Sequence, residues 1–128
     1  MALGEAYDGQ TLADLRRAQA LQPNAPGPNN ALCWQLSLVG RPEEALPYCD
    51  TAVAADPTAF SRDSRGLAYA LLGRTEEAIA EFEAFVAWME EQPEEPDPHS
   101  ALRQEWIEAL RAGRNPFDEE TLKALRNE

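Results

Sequence analysis

Gly40-Arg41-Pro42-Glu43-Glu44-Ala45 returns as Gly73-Arg74-Thr75-Glu76-Glu77-Ala78, an offset of 73 − 40 = 33 residues. An apolar stretch precedes each copy: Asn30 to Val39 before the first, Ser64 to Leu72 before the second. Glycine takes the left-handed backbone that ends a helix. The residue two places on, Pro42 or Thr75, suits the start of the next helix, as a proline at the first helical position or as a capping hydroxyl. Two glutamates then face the positive end of the new helix dipole. Each copy therefore reads as helix, tight turn, helix: an antiparallel helical hairpin.

The second helix of the first copy carries Ala45, Leu46, Cys49, Ala52 and Val53 at helical spacing and stops at Asp56-Pro57, where proline forbids continuation. Pro47 lies inside it and predicts a bend. The second helix of the next copy carries Ala78, Ile79, Phe82, Phe85, Val86 and Met89 and stops near Gln92-Pro93. Upstream, Leu12 to Asn24 reads as a lone second helix with its closing proline. Downstream, Gln92 to Pro98 is a proline-rich acidic loop. A helix follows from Pro98 or His99 to Ala112, ended by Gly113. Asp118 can cap a last short helix through Leu125.

These positions resemble the tetratricopeptide repeat. The family pattern of small, aromatic, glycine, alanine, aromatic, small and proline falls on Cys33, Leu36, Gly40, Ala45, Cys49, Ala52 and Pro57 in the first copy. In the second it falls on Gly66, Tyr69, Gly73, Ala78, Phe82, Phe85 and Glu90. Leu36, Cys49, Phe85 and Glu90 depart from it. The resemblance implies an all-α fold, a short α-solenoid of antiparallel hairpins closed by C-terminal capping helices. Within one domain, residues 1–28 form a half repeat, 29–58 repeat one, 59–92 repeat two, and 93–128 the loop and caps. A lone half repeat at the start suggests the C-terminal end of a longer solenoid. Residues 29–128 are similar to the terminal repeat segments of large bacterial proteins that join such repeats to signalling, protease-like or NTPase modules, which implies a tail module in a larger assembly.

In that family the inner surface is lined by the first helix of each repeat. The resemblance places Asn30, Trp34, Ser37 and Leu38 there from the first copy, and Asp63, Leu67, Ala70 and Leu71 from the second. These would hold a peptide or partner segment. The competing reading is that Trp34 and Leu71 are covered by the N-terminal segment or the C-terminal helices, and that the module is a structural or oligomerisation tail, self-associating through the open N-terminal end of the stack. Family members that grip a terminal carboxylate use lysines on the first helix, and here only Lys123 is a lysine.

The formal net charge of −12 repels nucleic acid and anionic membrane alike. The chain has no run of eighteen apolar residues and no basic-then-apolar leader, so the expected setting is cytoplasmic. Cys33 and Cys49 are too few for a disulfide framework or a zinc site, and are expected as small buried free thiols packed close across the first hairpin. His99 alone offers no catalytic partner. The glutamate pairs sit at helix starts, where a structural role suffices. No phosphate-binding loop or nucleophile elbow occurs. The sequence predicts an interaction module with no cofactor, no metal and no enzymatic activity.

Overall fold

The computed structural model describes residues 11–91 and 98–126. Residues 1–10, the proline-rich loop 92–97, the side chains of Pro98 and His99 and the last two residues lie outside that description, and so do the expectations that fall on them.

The described residues form seven helices: α1 Leu12–Leu21, α2 Pro26–Leu38, α3 Pro42–Ala55, α4 Ala59–Leu71, α5 Thr75–Glu90, α6 Pro98–Arg111 and α7 Glu119–Arg126. No strand occurs among them, so the fold class is all-α. Helices α2 and α3 pack as one pair and α4 and α5 as another, with α4 also lying against both α2 and α3. The first helix packs on α2, and α6 packs on α5.

The turns close as the glycines predict. Gly40, Gly73 and Gly113 have φ of 83°, 80° and 77°. At each, two bonds close the helix end: Arg41 N–H to Leu36 O (2.8 Å) with Gly40 N–H to Ser37 O (3.0 Å), Arg74 to Tyr69 (2.9 Å) with Gly73 to Ala70 (3.1 Å), and Arg114 to Ala109 (2.8 Å) with Gly113 to Leu110 (3.1 Å). This is the Schellman closure, made three times by a Gly-Arg pair. The helix starts differ from expectation in one respect. Thr75 is the first helical residue and caps nothing, because Arg74 holds the cap position. Arg74 instead grips Glu77 with Nε and Nη2 at 2.7 and 2.6 Å.

The second helix begins at Pro26, earlier than repeat one's expected start, because Pro26 and Pro28 both lie in a first turn whose N–H groups have no helical acceptor. Buried Asn29 fixes that entry by donating from Nδ2 to Pro23 O (2.9 Å) and Ala25 O (2.7 Å). At Pro47, where the sequence predicts a bend, the helical assignment of α3 is continuous. Pro47 offers no N–H to Glu43 O, and both residues are exposed, so water can serve that carbonyl.

The free-thiol expectation is corrected. Cys33 and Cys49 do lie together, fully buried, but they form a disulfide joining α2 to α3. The equivalent pair one repeat on is Gly66 and Phe82. A Cβ placed on Gly66 would sit 2.8 Å from the Phe82 ring. The same two positions thus join the helices of each pair, by a bond in one and by glycine-to-ring packing in the other.

Two apolar clusters result. One gathers Leu12, Leu32, Leu36, Ala45 and Ala68 around the disulfide. The other gathers Leu38, Leu67, Phe82, Trp106, Ile107, Leu110, Phe117 and Leu125. Each cluster draws a residue from the neighbouring pair, Ala68 for the first and Leu38 for the second, so the pairs share a continuous interior.

Candidate interaction face

Helices α2 and α4 lie side by side, and their C-terminal halves present Trp34, Leu38, Leu67, Ala70 and Leu71 to the second cluster. Of the eight residues expected on a receiving surface, Ser37, Leu38, Asp63 and Leu67 are buried, while Asn30, Trp34, Ala70 and Leu71 are half-buried. Ser37 turns its hydroxyl onto Cys33 O at 2.8 Å, the local bond open to a mid-helix serine.

Asp63 is committed elsewhere. Its carboxylate accepts two bonds from Arg103 of α6, Oδ1 from Nε at 2.9 Å and Oδ2 from Nη2 at 2.6 Å. Both side chains are buried, at 7% and 6% exposure. The Arg103 guanidinium lies 4.4 Å from the Trp106 ring centroid, 5.1 Å from Phe85 and 5.8 Å from Trp34. A planar cation suits both the carboxylate fork and the aromatic faces. Asp63 and Arg103 are 40 residues apart, so neither sequence position alone signalled the pair. A second buried carboxylate, Glu81, accepts from Arg62 Nε at 2.8 Å and Arg65 Nε at 2.6 Å. Those arginines are three apart on α4 and therefore share a helix face.

This face is covered in part by α6, through Arg103, and in part by the residues that follow it. Phe117 sits edge-on to Trp106, ring centroids 4.7 Å apart, and lies 6.1 Å from Phe82. Helix α7 then packs on α2, and its apolar residues share the second cluster with Trp106, Ile107 and Leu110 of α6. Leu125 is buried in the second cluster, Leu122 packs half-buried against it, and Arg126 Nη1 donates to Leu38 O at 2.8 Å. That carbonyl lies in the last turn of α2, where helical acceptors lack internal donors and the dipole end is negative.

The segment carries its own local code. Asn115 Oδ1 accepts from Phe117 N–H at 2.9 Å, and Asp118 Oδ1 accepts from Thr121 N–H at 2.8 Å. The Thr121 amide holds the Asp118 carboxyl below its usual value. Glu119 and Glu120 stand in the first turn and Lys123 and Arg126 in the last, each matching the dipole. Eight residues are still too few to hold a helix alone in water. Docking decides its stability, and each well-buried phenylalanine or leucine contributes roughly 1.5–3 kcal/mol.

Other features offer less. The open groove between α5 and α6 is lined by Glu83, Val86, Glu90, Ile107 and Arg111, with Glu83 and Arg111 paired across it. Phe60, 54% exposed, packs edge-on to Phe85 and Trp88. Among the described residues no group of three or more His, Cys, Asp or Glu side chains is placed to hold a metal ion, and no helix is long and apolar enough to cross a membrane. Comparison with protein-family models, with curated proteins and with solved structures finds no match for this chain.

Proposed function

We propose that the chain is a tetratricopeptide-type scaffold that binds a partner's peptide or helical segment on the face shared by α2 and α4. The observation that carries this reading is the seat of α7. An amphipathic helix from later in the chain packs on α2, the first helix of the first hairpin, and buries Leu125 in the cluster that also holds Leu67 of α4. A surface that accepts one such helix has the shape and chemistry to accept another. The repeat assignment is supported by the 33-residue offset, the matching Schellman turns, and the Cys33–Cys49 and Gly66–Phe82 pairs at equivalent positions.

The net charge of −12 favours a protein partner with a basic segment over nucleic acid or anionic lipid. The expected cytoplasmic setting fits less well. A buried disulfide is at home in an oxidising compartment, and in the cytoplasm chiefly of heat-adapted cells.

A second reading draws on the same observation. If α7 never leaves its seat, the face is interior, and the module is a structural tail without a ligand of its own. Titration of the isotope-labelled chain with a library of amphipathic peptides separates the two. Amide shifts clustered on α2 and α4 support the scaffold. Shifts confined to the outer sides of α3 and α5, or saturation by no peptide, favour the tail.

A further inference from the structure

We draw no further inference here: the strongest candidate, the open groove between α5 and α6 lined by Val86 and Ile107 with the exposed carboxylates of Glu90 and Glu108 beside them, carries nothing because no feature of the structure shows what covers it.

Discussion

At the scale of single residues, one pair of positions does different chemistry in the two hairpins. Cys33 and Cys49 are joined covalently where Gly66 and Phe82 merely touch. Closing a loop of this length restricts the unfolded chain and stabilises by about 3 kcal/mol. Urea unfolding with and without reductant is expected to differ by that amount. Because both sulfurs are fully buried, reduction should follow unfolding and not precede it. Gly66→Ala tests the other hairpin. In an exposed helix this change stabilises by roughly 1 kcal/mol. Here the new methyl meets a ring held by Trp106 and Phe117, and overpacking of about 1–3 kcal/mol outweighs the gain. A lower denaturation midpoint is expected. The buried pair gives a third prediction: Arg103→Met leaves the Asp63 carboxylate without its bidentate partner, which destabilises by about 3–5 kcal/mol in chemical denaturation. Of these three features, the closeness of the cysteines was legible from the hairpin register. Their bonding was not, since spacing gives proximity and not redox state. The Asp63–Arg103 pair was hidden because it depends on how α6 lands on the pairs before it.

At the scale of elements, the turns were the most legible feature. A positive φ leaves glycine as the residue of choice, and Gly40 and Gly73 mark it in the sequence with an arginine behind each. Nothing lies within 4 Å of a Cβ at Gly40, Gly73 or Gly113, so Gly→Ala at each is a matter of backbone strain alone. A loss of about 1–2 kcal/mol per site is expected in thermal or chemical melts. The same Gly-Arg closure at Gly113 makes α6 the last helix to end in this way. The last helix has a pH dependence of its own. The Asp118 carboxyl is depressed in the folded state by the Thr121 amide, so its contribution is present above the ordinary aspartate range and is lost as pH falls through the lowered value. Protection factors of the Leu122 and Leu125 amides are expected to fall as pH drops through that lowered value, while α2 and α3 remain protected. Loss of protection in all helices together would assign the acid response to the fold as a whole.

At the scale of the whole molecule, the account turns on where the chain's end goes. The helix count and order follow from periodicity and punctuation, and α7 appears where Asp118 announces it. Its destination was not legible, because an amphipathic helix after a Pro-containing turn can return to any apolar face within reach. Of the alternatives weighed from the sequence, an open face or one covered by terminal helices, the structure shows partial cover by α6, Phe117 and α7, with Trp34, Ala70 and Leu71 half-buried. The most direct measurement is the amide spectrum of the full chain carrying Leu125→Ala. The account predicts that shifts beyond α7 concentrate at Ser37–Gly40 in the last turn of α2 and at the end of α4. Shifts confined to α6, with α2 unmoved, would contradict it.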